Sequence, residues 1–335
     1  MKIRQKLEDK EKSTLSKFAC LSINSQGRGS DDIPCDIRTC FQVDRDRILH
    51  SKAFRRLKHK TQVFISPESD HFRTRLTHTL EVAQIARTMA KALDLNEDLA
   101  EAIALGHDLG HTPFGHAGEQ ALNSVTPFGF KHNIQSIRVV SKLEGEKGLN
   151  LTKEVLDGIK NHTGEKVPFT LEGQLVKIAD RIAYINHDIE DAITAKIINE
   201  SDLPFRPIKI LGYSKSSRID TLVKDIIICS RDQVEIQQTL EIKKSMNELR
   251  EFLFNKVYLN SPAKTQEHKA KNMITQLYHL FLQNPQKMES KIHKNLFDTD
   301  NMERKVCDYI AGMTDRYIVT VYKQHFIPSG WSVNL

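Results

Sequence analysis

Apolar side chains recur along this chain with the spacing of an α-helix, and at several places a histidine or an aspartate occupies the same inward face. After His78, the positions Val82, Ile85, Met89 and Leu93 follow at i+4, i+7, i+11 and i+15. This stripe predicts a helix whose buried side includes the histidine. Such a pattern favours a helical protein that carries polar groups inside its core.

Two more segments show the same arrangement. Leu99, Ile103 and His107 share one helical face, which again places a histidine inward. A third helix is predicted over about residues 175–195. The polar residues along one of its sides are Asp180, Tyr184, His187 and Asp188. Helical bundles build metal sites from inward side chains on facing helices, so we expect a mainly α protein with a site in its core.

The remaining segments complete a prediction of three regions. Residues 1–35 are expected to form a loosely organised arm, residues 36–200 the catalytic core, and residues 201–335 a C-terminal helical extension. Further helices are predicted at about 40–58, 132–143, 153–162, 217–228, 240–257, 265–283 and 302–323. The prolines and glycine within 201–217 predict a loop, and 226–236 is compatible with a short β-hairpin.

Composition narrows the class of protein. A chain of 335 residues can bury a substantial core, and no run of about 18 apolar residues is present to span a membrane. The N-terminus lacks the apolar segment of a signal peptide, and the five cysteines form no CxxC pair. These features predict a cytoplasmic protein with reduced thiols and no membrane partner. The formal net charge of +6 suits an anionic substrate such as a nucleotide.

The adjacent pair His107-Asp108 offers a metal one nitrogen and one oxygen ligand. His78 and Asp180 complete a mixed site for a divalent ion, which suits Mn, Fe, Co, Ni or Zn, with Mg able to act through phosphate. The alternative is a buried hydrogen-bonded network, which would have to neutralise two carboxylates without a cation. The metal interpretation is therefore preferred, and it points to hydrolysis of a phosphate ester.

Residues suited to acid-base chemistry follow the pair. His111, His116 and Glu119 lie on a turn that Pro113 and Gly115 impose, close to the metal without having to bind it. For His116 and Glu119 the alternative is a role at a helix N-terminus, where glutamate is favoured.

Several other side chains are candidates for substrate contacts. His132 precedes another predicted helix and is expected to protonate a leaving group, bind phosphate or cap that helix. Arg75 and Arg181 are candidates for gripping phosphate oxygens, with an ion pair to a ligand aspartate as the alternative. Tyr184 is expected to pack on a sugar ring or in the core. The chain contains no P-loop, dinucleotide fingerprint, GxSxG elbow or HExxH motif.

The order of His78, His107-Asp108 and Asp180 resembles that of the HD superfamily of metal-dependent phosphohydrolases. The chain is most similar to the dGTPase-like deoxynucleoside triphosphate (dNTP) triphosphohydrolases within that superfamily. The segments that carry this resemblance are 44–63, 106–116, 170–191 and 311–317. Together the similar region runs from about residue 15 to residue 326.

The resemblance implies an HD-domain helical bundle that hydrolyses a dNTP to a deoxynucleoside and inorganic triphosphate by attack at the α-phosphate. The residues that match the family's metal ligands are His78, His107, Asp108 and Asp180. Its catalytic residues are matched by His111 and Glu119, with His132 a further candidate. The expected substrate contacts are Gln62 at the nucleoside, Arg75 at phosphate, Tyr184 and Asp188 near the sugar, and in addition His116 and Arg181.

The resemblance also implies partners beyond the substrate. Members of the family are typically homo-oligomers, some are activated by a dNTP at an allosteric site, and some bind single-stranded DNA. The residues leave two other functions open. One is an HD phosphohydrolase acting on (p)ppGpp, a cyclic nucleotide or a nucleoside monophosphate, and the other is a nucleic-acid-binding protein with a vestigial metal site.

Overall fold

The computed structural model describes residues 2–65, 72–259, 264–288 and 300–328. The described chain is mainly α-helical, with two isolated β-bridges and no strand, so the predicted fold class is confirmed. Residues 289–299 and 329–335 of the predicted extension lie outside the described residues. No described helix has both the length and the apolar character needed to cross a membrane.

The helices are numbered in chain order. They are α1 (Ile3–Thr14), α2 (Cys40–Leu49), α3 (Lys52–Arg56), α4 (Arg75–Ala92), α5 (Glu97–Gly106), α6 (Gly115–Val125), α7 (His132–Arg138), α8 (Lys153–Asn161), α9 (Leu171–Thr194), α10 (Phe205–Leu211), α11 (Lys215–Ser230), α12 (Leu240–Leu253), α13 (Lys264–Gln283), α14 (Met302–Ala311) and α15 (Asp315–Phe326). Short π-helical segments, Val139–Leu143 and Phe254–Tyr258, continue α7 and α12.

Three helices, α4, α5 and α9, form the centre of the fold. Each begins at a residue whose side chain accepts a hydrogen bond from the third residue of the helix, namely Thr74, Asn96 and Thr170. Helix α4 packs against both α5 and α9, and the apolar stripes of the three helices face one another in one hydrophobic cluster. The caps and stripes together fix which polar side chains on these helices point inward.

Buried apolar side chains form two clusters. The larger one extends from Phe41 to Val257 and includes α10–α12, whereas the smaller one combines α6 with α13, α14 and α15. The clusters do not divide the chain at residue 200, because α10–α12 pack with the first and α6 with the second. The region boundaries at residues 35 and 200 stay predictions.

The loop predicted over 201–217 is wrong, because α10 occupies much of it. Pro204 is the N-cap of this helix and Pro207 lies in its first turn, where a missing N–H costs nothing. Gly212 then ends the helix with a φ of 124°, which favours glycine. The prolines and glycine therefore mark the two ends of a helix rather than a loop.

The hairpin considered for 226–236 is also wrong. Helix α11 continues to Ser230, and the residues after it form a turn and an extended segment without strand pairing. Leu222, Ile226 and Ser230 are buried at a spacing of four residues, whereas Ile228 is 76% exposed. The apolar run is thus one buried face of a helix plus exposed side chains, and a short apolar run does not distinguish helix from strand.

Two predicted helices are each interrupted by a capping residue. The segment 40–58 breaks at Ser51, whose hydroxyl accepts the N–H of Phe54 at 3.1 Å and starts α3. The segment 302–323 breaks at Gly312, and Thr314 caps α15. Serine and threonine compete for local backbone hydrogen bonds, which is why they favour helix starts over helix interiors.

The N-terminal segment is more regular than the predicted loose arm. It contains α1, and the residues after it attach to the core through buried carboxylates. Glu172 of α9 accepts the N–H of Cys20 and that of Asn96, both at 3.0 Å. Glu154 of α8 accepts the N–H of Gln26 at 2.6 Å. These contacts connect the segment before α2 to the central helices.

A buried set of hydrogen bonds joins the two clusters. Asp315, at the start of α15, accepts the backbone N–H groups of Thr61 and Phe114 at 2.9 Å each and also the Thr61 hydroxyl. Lys60 donates to the carbonyl of Ala311 at 2.9 Å and to that of His111. The C-terminal helices therefore hold the turn that follows His107-Asp108.

We predict that Asp315→Ala lowers the free energy of unfolding by about 3 kcal/mol, since it leaves two buried N–H groups without their charged acceptor. Denaturant unfolding measures this change. The control is Asp220→Ala, whose carboxylate is 58% exposed and, among the described residues, pairs with Lys224 alone; this variant should cost less than about 0.5 kcal/mol. Equal effects of the two variants would contradict the proposed role of Asp315.

Candidate functional site

The four residues assigned to a metal come together where α4, α5 and α9 meet. His78 Nε2 lies 3.1 Å from Asp180 Oδ1, and His107 Nε2 lies 3.9 Å from the same oxygen. Asp108 Oδ1 lies 3.4 Å from His107 Nε2. Donor atoms of His78, His107 and Asp108 all fall within 4.8 Å of one another. The packing of these three helices thus brings together inward-facing groups that are far apart in the sequence.

The protonation of His107 suits a metal ligand. Its Nδ1 lies 2.6 Å from the carbonyl of Ala104, which can only accept, so Nδ1 carries the hydrogen. Its buried Nε2 has no hydrogen-bond partner in the described part of the chain and points at the two carboxylates. A ligand histidine commonly fixes its other nitrogen on a carbonyl in this way. The donor set, two nitrogens and two carboxylates, therefore fits a divalent transition metal.

Arg75 offsets the negative charge of the buried Asp108. Its Nη1 donates to Asp108 Oδ2 at 2.7 Å, and both side chains are at most 5% exposed. Burial opposes ionisation of Asp108, but the charges of the neighbouring histidines and of Arg75 hold its pKa well below the usual range. Arg75 therefore adopts the ion-pair arrangement, one of the two alternatives that the sequence left open for it.

The turn after Asp108 needs glycine because it packs tightly on the next helices. A Cβ on Gly110 would lie 2.1 Å from the backbone nitrogen of Ser136, and the Gly110 N–H donates to the Ser136 hydroxyl at 2.8 Å. Phe114 and Gly115 then adopt positive φ values of 61° and 55° and start α6. This tight path places the residues of the turn beside α7.

The three candidate catalytic residues form a connected group. The rings of His111 and His132 stack with centroids 4.0 Å apart, and Glu119 Oε2 lies 2.9 Å from His132 Nδ1. Glu119 also accepts the backbone N–H of His132 at 3.0 Å. Neither side chain caps its own helix, but Glu119 satisfies the N–H of the first residue of α7 and so combines a capping contact with its contact to the His132 ring.

The protonation of this group follows from its surroundings. Burial opposes ionisation of Glu119, but the hydrogen bonds with His116 and His132 hold its pKa well below the usual range. Burial, with the charges of Arg75 and His132, holds the pKa of His111 well below 6.5. Near neutral pH, Glu119 is therefore an anion and His111 a neutral base.

Two predicted substrate contacts lie at the edge of this group. The His116 side chain is 75% exposed and its Nδ1 lies 3.7 Å from Glu119 Oε2, so it stands at the rim of the site. Gln62 is half-buried, and its backbone carbonyl would lie 3.4 Å from a Cβ on Gly115. Its side-chain oxygen is buried without a hydrogen-bond partner among the described residues. Both residues are placed where a ligand at the turn would reach them.

Sequence reasoning overlooked His162. It follows α8, is 3% exposed, and its ring centroid lies 5.0 Å from that of His107 and 5.3 Å from that of His132. The signal was present, because Val155, Ile159 and His162 lie at i, i+4 and i+7 on one helical face, much as Leu99, Ile103 and His107 lie at i, i+4 and i+8.

A polar cleft of about 900 Å³ opens beside Asp180 and runs between α9 and α12. The predicted residues Arg181 and Tyr184 line it. Further basic residues in its wall are Lys177, Lys243 and Arg250. Arg250 and Lys243 belong to α12, and no sequence spacing singled them out. The cleft is thus a basic surface that starts at a candidate metal ligand.

Asp188 lies one turn beyond Tyr184 on α9 and is 4% exposed. Its Oδ2 accepts the hydroxyl of Tyr258, while its buried Oδ1 has no hydrogen-bond partner within the described ranges. Burial raises the pKa of Asp188 to about 7. Tyr258, on the π-helical end of α12, is a second residue that sequence reasoning overlooked.

Comparisons with known proteins agree with this arrangement. Residues 75–185 match the HD domain, and residues 236–324 match the phosphohydrolase-associated domain. Two relatives bear the name deoxyguanosinetriphosphate triphosphohydrolase-like protein. The one from Caldanaerobacter subterraneus subsp. tengcongensis is 57% identical over 99% of this chain and 98% of its own. The one from Clostridium tetani is 48% identical over 98% of this chain and 97% of its own.

A solved structure agrees in fold. The crystal structure of a phosphohydrolase from Bacteroides thetaiotaomicron aligns with 82% of this chain and 66% of its own, with a TM-score of 0.51 and 18% identity. Family match, full-length relatives and the cluster of histidines and aspartates lead to the same assignment. The chain belongs to the HD-domain, metal-dependent phosphohydrolases, within the family of deoxyguanosinetriphosphate triphosphohydrolase-like proteins.

Proposed function

We propose that this protein hydrolyses deoxynucleoside triphosphates to a deoxynucleoside and inorganic triphosphate. The observation that carries the proposal is the position of the basic cleft, which begins at Asp180 beside the cluster of metal-binding groups. A nucleotide with several negative charges suits such a cleft. The names of the full-length relatives support the same substrate class.

A divalent metal would be held by the four inward residues of α4, α5 and α9: His78, His107, Asp108 and Asp180. When bound, it supplies a positive charge that polarises a phosphoryl oxygen and lowers the pKa of water. Other residues of the chain hold these candidate ligands in position. Arg75 holds Asp108 from one side, and Ala104 holds the His107 ring in the required tautomer.

His111, Glu119 and His132 supply the proton transfers. The neutral His111 takes a proton from the attacking water as its oxygen bonds to the α-phosphorus. The bond from phosphorus to the 5′ oxygen breaks, and this oxygen takes a proton from His132. Glu119 holds His132 through its Nδ1, which keeps that ring oriented and stabilises its protonated form.

The cleft binds the substrate. Arg181, Arg250 and Lys177 are suited to the phosphates, since guanidinium groups and ammonium groups bind phosphate oxygens through charge-assisted hydrogen bonds. Tyr184 is half-buried beside Arg181 and presents its ring to a sugar. Asp188 offers a buried oxygen to a sugar hydroxyl. Assembly into homo-oligomers, activation by a second dNTP and binding of single-stranded DNA stay predictions.

The direct test is to identify the products. The purified protein is incubated with each dNTP, singly and in pairs, with Mn²⁺, Mg²⁺, Fe²⁺, Co²⁺, Ni²⁺ or Zn²⁺. We expect stoichiometric deoxynucleoside and inorganic triphosphate. Release of pyrophosphate from (p)ppGpp, of a linear monophosphate from a cyclic nucleotide or of phosphate from a nucleoside monophosphate, without turnover of any dNTP, would replace the proposal with another phosphohydrolase activity. Turnover only in mixtures would indicate an activating nucleotide.

We predict that His107→Ala releases the bound metal and lowers kcat/KM by more than about 100-fold, because even residues that only support a metal ligand contribute about 10- to 100-fold. Elemental analysis and initial rates measure the two effects. His279→Ala, an exposed histidine on α13, serves as the control and should change neither. Full metal content and rate in His107→Ala would refute the ligand assignment.

We predict that Arg250→Gln raises KM for a dNTP about tenfold and changes kcat little, since it removes one charged contact to phosphate worth about 1.5 kcal/mol. Steady-state kinetics separate the two constants. Arg206→Gln is the matched control, because Arg206 is 62% exposed and its ion pair within the described ranges is with Glu248 at 3.0 Å. An unchanged KM in Arg250→Gln would exclude this residue from phosphate binding.

A further inference from the structure

His162 faces His132 at hydrogen-bond distance. Its Nδ1 lies 2.7 Å from the carbonyl of Ile159, and because a carbonyl only accepts, this nitrogen carries a hydrogen. The other nitrogen, Nε2, lies 3.3 Å from Nε2 of His132. With hydrogen on Nδ1 alone, His162 Nε2 presents a lone pair to His132.

The hydrogen bonds of His132 indicate which of its ring nitrogens carry a hydrogen. Its Nδ1 lies 2.9 Å from Oε2 of the anionic Glu119, so this nitrogen also carries a hydrogen. If His132 were neutral, its Nε2 would present a second lone pair to that of His162 across 3.3 Å. Two facing lone pairs repel each other, so a positive charge must lie between or on the two rings. Glu119 contacts His132 and not His162, which favours the charge on His132.

We propose that His162 is a positioning residue for His132. It accepts the Nε2–H of a doubly protonated His132 and so fixes both the plane of that ring and its charge. The role as support for a proton donor rests on the proposed function, whereas the hydrogen bond itself does not.

This arrangement explains why the stacked rings of His111 and His132 can differ in protonation. His132 is held between Glu119 and His162, one partner on each ring nitrogen. His111, at a ring distance of 4.0 Å, has no partner for its buried Nδ1 in the described part of the chain. The proton donor His132 and the base His111 therefore differ in their hydrogen-bond partners and not in residue type.

Two variants test the role of the acceptor. His162→Phe keeps a ring of similar size but removes the acceptor, and His162→Gln keeps an acceptor oxygen near the position of Nε2. We expect His162→Phe to lower kcat by about 10- to 100-fold with KM within about threefold, and His162→Gln to recover most of that loss. Thermal unfolding checks that both variants are folded. Full kcat in a folded His162→Phe would overturn the proposal.

A neutron structure of the deuterium-exchanged, metal-loaded wild type at neutral pH tests the hydrogen bond without any activity. Deuterium on both ring nitrogens of His132 and on Nδ1 alone of His162 is the expected result. A second deuterium on His162, or a metal ion shared by the two Nε2 atoms, would overturn it. If the protein hydrolyses no dNTP, the proposed function fails, while the neutron result still decides the role of His162 as acceptor.

Discussion

Placing Asp108 inside a helical core costs free energy that nearby positive charge has to offset, and Asp180 lies partly buried beside it with a side chain that is 20% exposed. Arg75 supplies a full charge to Asp108, whereas among the described residues Asp180 is contacted by His78 and, further away, by His107. The remaining negative charge favours the binding of a cation. The buried Nε2 of His107 is directed at the same oxygens and has no hydrogen-bond partner in the described part of the chain. A network without a metal would leave this nitrogen and one carboxylate poorly compensated.

The C-terminal helices support this site although none of the four candidate metal ligands lies on them. Lys60 and Asp315 connect the end of α14 and the start of α15 to the backbone of His111 and Phe114. Burial lowers the pKa of Lys60 to about 7, so the connection itself places a costly ammonium in the interior. A turn that holds a candidate base beside α7 gains rigidity from these contacts, and Phe114 of this turn belongs to the second hydrophobic cluster.

Helical phase predicted that these candidate ligands face inward because it is a local property. His78 and His107 each follow from an apolar stripe in their own segment and Asp180 from a polar face in its own, and the structure brings these segments together in a mainly α fold. The same rule, applied to α8, would have found His162. It fails for Arg250, Tyr258 and Asp315, since their partners depend on how distant helices pack. The hairpin was an error of a related kind, because a short apolar run occurs in a helix that exposes part of it, as α11 exposes Ile228, as well as in a strand.

The stacked histidines can be understood from the same balance of charge. A second cation at 4.0 Å from His132 would be unfavourable in a buried site, and Arg75 adds to the positive field at His111. One protonated ring and one neutral ring is the arrangement that Glu119 stabilises, since its carboxylate contacts His132 alone of the two. Transfer of a proton from water to His111 and from His132 to the leaving oxygen would move the charge between the rings without adding a second one. The pair can thus serve as base and acid while the interior keeps a constant charge.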